Sequence, residues 1–293
     1  MLRNAAILLF MLSLVAILVV RVPLPHRRTL ALGAFGRGPT VVLVHGLGSS
    51  AEHWLPMARD LARDHRVVLV ELPGHGLAAM PATLSLDEAA AGLDDAIRSE
   101  CEGPVVLVGH SAGGLVAAQE ALRNPARVRA LVLVETALKP QLDAPSREGL
   151  LDALEHDYAG TLRANYQSFG RDSVQGAELF AGAARVAPAA MKAWIRLAIT
   201  TDLSQSIEAL HAPLLVVLST RSWPAGEPWS ACADTLGYAA VPGARAARVE
   251  QTGHFVMLDR PAELAGLVRR FEHDAGSPMM ASLARPAAGT AGR

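Results

Sequence analysis

Val105-Val106-Leu107-Val108-Gly109-His110-Ser111-Ala112-Gly113-Gly114 is the stretch that decides the fold. Its four leading apolar residues, three of them β-branched, predict a short strand buried on both faces, and Ala112 to Arg123 behind the turn reads as a helix. Between them Gly109 to Gly113 fits G-x-S-x-G, a strand-to-helix turn that strains its central serine and lifts the hydroxyl clear. Glycines at 109 and 113 leave room for neighbouring backbone. Ser111 would sit at a helix N-terminus, where N–H groups receive a developing oxyanion. A Gly/Ser turn that binds nothing shares this composition, but the strand before and the helix after favour a nucleophile.

The same pattern extends in both directions. Val41–Val44, Val67–Val70, Leu131–Val134 and Leu214–Leu218 are further short apolar runs, with another strand expected at 246–250. Residues 54–64 and 86–99 read as helices between them. Unalternating runs separated by helices describe an α/β protein, a mostly parallel twisted sheet flanked by helices. Residues 139–206 interrupt the alternation with helix-like stretches at 149–158 and 187–200, and read as a helical cap inserted over the C-terminal edge of the sheet. One domain then covers 29–274, and 275–293, small and Pro/Gly-punctuated, reads as a flexible tail.

The 293 residues are 51% apolar, with a mean hydropathy of +0.26. Part of this is local. Residues 5–20 form an uncharged apolar run, preceded by Arg3 and followed by Arg21, Arg27 and Arg28. Extended through Val22 and Leu24, with Arg21 snorkelling, the run approaches the about 20 residues that span a bilayer. The following VVRVPLPHRR has no small-x-small cleavage site, so residues 1–28 are expected to be a membrane anchor and linker. A cleaved secretion signal and a buried helix are the alternatives, and the side of the membrane is open. Lys plus Arg is 27 against 28 Asp plus Glu, a net charge of −1. Without a basic surplus to hold a phosphate backbone, no nucleic-acid partner is expected. Cys101 and Cys232 are compatible with two thiols or one disulfide, and the oligomeric state is open.

A serine hydroxyl needs a base to attack. His254, in Gln251-Thr252-Gly253-His254-Phe255, lies after the last expected strand and before a helix opening at Pro261. Val41–Val44 leads into His45-Gly46-Leu47-Gly48. On a strand beside that of Ser111, the Leu47 N–H would pair with that of Ala112 as an oxyanion hole, and small residues at 46 and 48 would let backbone approach the substrate.

HGLGSS at 45–50, ELPGHG at 71–76, GHSAGG at 109–114 and GHFVMLDRP at 253–261 stand in the order of the α/β-hydrolase fold superfamily, which the chain resembles from about residue 29 to 274. The resemblance implies a hydrolase with Ser111 as nucleophile, His254 as base, oxyanion donors at Leu47 and Ala112, and a cap. One position departs. Family members usually carry an Asp a few residues after the strand matching 214–218, and here Ser222 stands there. A neutral serine cannot stabilise an imidazolium as a carboxylate does. The main substitute is Glu135, at the strand end from which some members, certain haloalkane dehalogenases among them, take their acid. The order Ser111, Glu135, His254 also keeps the acid between nucleophile and base. Glu227 and Asp234 are weaker candidates, and a Ser111–His254 dyad is a third possibility.

The expected function is a serine hydrolase cleaving a small-molecule ester or thioester through an acyl-enzyme, with no cofactor. Cap residues Leu150, Leu154, Leu162, Phe169, Phe180 and Trp194 suit an acyl chain, or equally a cap packing on itself. His45, His75, His110 and His254 each sit beside a glycine turn rather than at helical ligand spacing, so no metal is expected. Asp259 follows His254 in an H-x4-D pattern and is expected to cap the helix from Pro261. An Asp nucleophile is absent from the elbow, which disfavours epoxide-hydrolase and dehalogenase chemistry. Two other classes compete. A non-catalytic binding protein of the same fold is favoured by Ser222 and opposed by the intact Ser111 and His254. A nicotinamide-dependent Rossmann enzyme would use Gly46 to Ala51 as G-x-G-x-x-G/A and Glu71 on the ribose, but leaves GHSAGG and GHF unexplained.

Overall fold

The apolar runs become strands β1 (Leu30–Gly36), β2 (Thr40–Val44), β3 (Arg66–Glu71), β4 (Val105–His110), β5 (Val128–Val134), β6 (Leu214–Ser219) and β7 (Arg245–Val249). The computed structural model describes residues 29–275 apart from Pro242. The expected anchor at 5–20, its linker to residue 28 and the tail beyond Ala275 lie outside the described residues. Among the described residues no helix is long and apolar enough to cross a membrane.

The helices are α1 (Leu55–Leu61), α2 (Leu86–Glu100), α3 (Ala112–Arg123), α4 (Ala144–His156), α5 (Tyr158–Phe169), α6 (Ser173–Ala183), α7 (Pro188–Thr200), α8 (Trp229–Leu236), α9 (Val256–Asp259) and α10 (Pro261–Ala275). One sheet runs in the order β1-β3-β2-β4-β5-β6-β7. Every neighbouring pair is parallel except β1 with β3. Helices α4 to α7 all fall between β5 and β6.

The strands carry unbroken apolar runs because both faces are covered. Along β2, Val41 and Leu43 face one apolar cluster, with Trp54, Met57 and Val268, while Val42 and Val44 face the other, with Leu93, Val116 and Leu236. Every residue of β4 is buried. At about 1.5–3 kcal/mol for each buried Val or Leu, this two-sided burial outweighs any pattern a half-exposed strand would show.

Strand β1 was not expected from its sequence. LALGAFG holds two glycines and too few β-branched residues to signal a strand. It pairs antiparallel with β3 at the sheet edge, with a register shift between Ala31 and Gly33, so its identity comes from its partner rather than from propensity.

Candidate active site

Strand register gathers the site. Val44 pairs with Gly109, His110 with Val134, Val134 with Val217, and Ser219 with Val249. The loops leaving β2, β4, β5, β6 and β7 therefore emerge side by side. They carry His45–Gly48, Ser111, Glu135, Ser219–Ser222 and His254.

Ser111 occupies φ 51, ψ −123, between β4 and α3. A non-glycine residue there is strained by about 1–3 kcal/mol. Its N–H donates to Val134 O at 2.9 Å, and the Thr136 hydroxyl donates to Ser111 O at 3.2 Å, so neighbouring β5 holds the turn. The glycines are required sterically. A Cβ on Gly113 would lie 2.1 Å from His45 O, and one on Gly109 would lie 2.6 Å from Gly113 O.

Glu135 also takes a positive φ, 49°, where β5 ends. Its side chain is fully buried and lies with Oε2 3.1 Å from His254 Nδ1. The Ser222 hydroxyl donates to the same oxygen at 2.8 Å, and the Ser219 N–H donates to Oε1 at 2.5 Å. Burial pushes the Glu135 carboxyl upward, but His254 and the Ser219 and Ser222 donors outweigh it and hold its pKa below the ordinary carboxylate value. Ser222 thus supports a carboxylate from the adjacent strand instead of supplying one. Among the described residues the carboxylate paired with His254 is that of Glu135 and neither Glu227 nor Asp234; Asp234 is exposed on α8.

His254 is held from several sides. Its N–H donates to Phe169 O at 2.9 Å, and the Phe169 ring stacks on the imidazole with centroids 4.7 Å apart. His110 Nε2 donates to His254 O at 2.9 Å. Burial, with His254 adding to it, drives the His110 pKa well below its ordinary value, so His110 is neutral. With Nδ1 facing a carboxylate, His254 carries its proton on Nδ1 and turns the Nε2 lone pair outward.

The turn after β2 passes against Ser111, since a Cβ on Gly46 would lie 3.1 Å from Ser111 Cβ. Leu47 and Ala112 line one cavity with Ser111; the Gly114 N–H donates to Ser111 O at 2.9 Å, while the Ala112 N–H at the start of α3 has no helical acceptor four residues before it. Gly48 differs from expectation. It has φ +63, and a Cβ there would lie 2.1 Å from Tyr166 Oη, so its smallness makes room for the α5 tyrosine rather than for substrate. That hydroxyl donates to Leu47 O at 2.8 Å and fixes the turn.

Glu71 is committed internally. Its Oε1 accepts from Ala51 N–H at 2.9 Å and its Oε2 lies 3.1 Å from His45 Nε2. His75 accepts from Gly48 N–H at 2.9 Å, and burial lowers its pKa to about 3. HGLGSS and ELPGHG therefore brace one another, and Glu71 has no free oxygen for a ribose. Asp259 does not cap α10. It accepts from Gly253 N–H at 2.8 Å, from Arg171 at 2.8 Å and from Gln175 at 2.6 Å. Sequence reasoning missed this tie, together with Ser219, Tyr166 and the support given by Ser222, because each acts across a long chain separation. Among the described residues no three His, Cys, Asp or Glu side chains converge as metal ligands. Cys101 and Cys232 are separate free thiols.

Two cavities share Ser111, Ala112, Phe169 and His254 on their walls. One of about 450 Å³ extends beneath the inserted helices against Leu150, Leu162 and Ile195. The other, about 520 Å³, extends toward β6 and α8. Of the other apolar residues singled out in the insertion, Leu154 is buried, Phe180 lies under the Arg163 guanidinium, and Trp194 donates to Pro73 O at 2.8 Å.

A model of the alpha/beta hydrolase family matches residues 41–267. Polyketide synthase ThaQ of Burkholderia thailandensis is 34% identical over 265 residues, covering 79% of this chain but only 12% of that protein. The pimeloyl-[acyl-carrier protein] methyl ester esterase of Aromatoleum aromaticum is 31% identical over 259 residues, covering 78% of this chain and 96% of its own. Among solved structures, a hydrolase from Oleispira antarctica superposes with a TM-score of 0.73 at 17% identity, covering 85% of this chain and 96% of that one.

Proposed function

Because this chain belongs to the alpha/beta hydrolase family, we propose that it is a serine hydrolase of carboxylic esters or thioesters, with Ser111, His254 and Glu135 as its catalytic triad. The observation that carries this reading is the convergence at Ser111. A serine at φ 51 shares its cavities with a histidine whose Nδ1 is 3.1 Å from a buried carboxylate. The similarity to the methyl ester esterase of Aromatoleum aromaticum supports it. Ser222 no longer favours a non-catalytic protein, since it donates to the carboxylate that replaces the missing acid.

The Ser111 hydroxyl attacks the acyl carbon while His254 Nε2 takes its proton. The Leu47 and Ala112 N–H groups receive the oxyanion. Collapse breaks the ester C–O or thioester C–S bond, and His254 protonates the departing alcohol or thiol. Water, deprotonated by His254, adds to the acyl-enzyme; the acid leaves and the proton returns to Ser111. Glu135 stays ionised and stabilises the imidazolium in both halves. The helices of residues 139–206 act as the cap that shields the acyl group. Residues 5–20 are read as a membrane anchor, supported by their uncharged run between Arg3 and Arg21.

The test is an active-site-directed fluorophosphonate label and an acyl-ester panel on wild type and Ser111→Ala. Labelling and turnover are expected in wild type alone. A wild type that neither labels nor exceeds the Ser111→Ala background overturns the assignment.

A further inference from the structure

The two cavities that meet at Ser111 differ in chemistry. The 450 Å³ cavity beneath the inserted helices is walled mainly by apolar side chains. The 520 Å³ cavity carries Lys139, Arg221 stands on the wall that both cavities share, and among the described residues lining the 520 Å³ cavity Glu135 is the one carboxylate. Both Glu135 oxygens are already engaged by His254, Ser219 and Ser222.

Neither cation has a carboxylate within ion-pair distance among the described residues. Arg221 donates to Ser168 O at 2.5 Å, and its guanidinium lies 5.8 Å from the Phe169 ring centroid. Lys139 is half-buried in the segment after β5. Asp202 feels its charge without forming an ion pair with it, and that carboxylate accepts from the Ser204 hydroxyl at 2.6 Å. A single solvated cation at a cavity mouth is ordinary. Two in one cavity, against the single carboxylate Glu135 whose oxygens are taken by His254, Ser219 and Ser222, leave an excess of positive charge that concentrates anions there.

We propose that the preferred substrate is an amphipathic ester, its apolar part in the cavity beneath the inserted helices and a carboxylate or phosphate group against Lys139 and Arg221. This rests on the esterase reading above and adds the charge selectivity of the same site. The aliphatic part of the cavity beneath the inserted helices, at Leu150, Leu162 and Ile195, accepts a hydrocarbon at no cost in unpaired polar groups, whereas an anion against those side chains would be stranded. Against the two cations the preference reverses.

Three chromogenic esters of one chain length test it. Para-nitrophenyl octanoate is neutral. The octanoyl ester of a hydroxynitrobenzoic acid carries a carboxylate on the leaving side, and the para-nitrophenyl monoester of octanedioic acid carries it on the acyl side. Because leaving groups differ in intrinsic reactivity, the quantity read is the charged-to-neutral ratio of kcat/KM, compared between wild type and variants. In Lys139→Gln/Arg221→Gln the ratio should fall by about tenfold on one of the two charged esters, which also identifies the side bearing the anion. Lys139→Arg should keep the wild-type ratio, and added salt should lower it in wild type but not in the double variant. A fall below about threefold on both charged esters, in variants that melt cooperatively, overturns the charge inference and leaves the esterase reading standing. If wild type turns over none of the three above Ser111→Ala, both fall together.

Discussion

Replacing Glu135 by glutamine isolates what the buried carboxylate does. The Ser219 N–H donates to Oε1 at 2.5 Å, so the glutamine carbonyl oxygen must stay there. Its NH2 group is then forced onto the Oε2 side, which faces His254 Nδ1 at 3.1 Å and the Ser222 hydroxyl at 2.8 Å. The hydroxyl turns and accepts. The imidazole cannot keep a proton on Nδ1 against an N–H donor, so it takes the other tautomer, with Nε2 protonated and unable to accept from Ser111. The equivalent acid-to-amide change in serine proteases lowers kcat by about 10⁴ with the geometry intact, about 5 kcal/mol of transition-state stabilisation. A loss of that order is expected in kcat for para-nitrophenyl octanoate at neutral pH, with KM little changed and the fold retained by circular dichroism. A Glu135→Gln enzyme within about tenfold of wild type would refute the reasoning and move the acid elsewhere.

Ser222→Asp in the Glu135→Gln background puts a carboxylate at the usual family position and should restore at least about tenfold of the lost kcat/KM. Alone, Ser222→Asp sets two carboxylates side by side and should lower Tm. Burial, with Asp94 adding to it against the Asn124 amide, raises the Glu120 pKa to about 7, although Glu120 belongs to the same helix as the nucleophile turn. An acid with a raised folded pKa costs stability progressively from the unfolded value, about 4.5, upward, and fully above about 7. Glu120→Gln should therefore leave stability unchanged near pH 4.5 and gain about 1–2 kcal/mol near pH 8 in urea melts. At the end of the strands opposite Ser111, hydrogen bonding to Glu272, against partial burial, raises the pKa of His65. Its contribution is complete below the unfolded value of about 6.5 and is lost as pH rises through the folded one. His65→Ala should destabilise strongly near pH 6 and little near pH 9, and an equal loss at both would contradict that.

Much of this molecule is legible in its strands. Residues buried on both faces leave uninterrupted runs, and the turn after each run carries its chemistry locally, so Ser111, His254 and the turn at Gly46 stand out. Glu135 is legible only as a candidate, because its pairing with His254 spans 119 positions. What escapes is what depends on a partner. Strand β1 exists through β3, Gly48 is small because of Tyr166, and Asp259 is spent on Arg171 and Gln175 rather than on its own helix. The absent Asp at 222 reads as a defect in one dimension and as a hydrogen-bond donor in three.

His254 is fastened at once to the sheet and to the inserted helices. The β7 loop carries it, Phe169 O receives its N–H and the Phe169 ring covers it, while Asp259 joins that loop to Arg171 and Gln175 at the start of α6. Lifting α5 and α6 away from the sheet would break these bonds. Were a bulky substrate to enter by such lifting, access and reactivity would be geared together: the proposed base would loosen as the cavity opened, and acceleration would begin only on closure. Bulky esters would show this as a viscosity-dependent rate that small acetates lack.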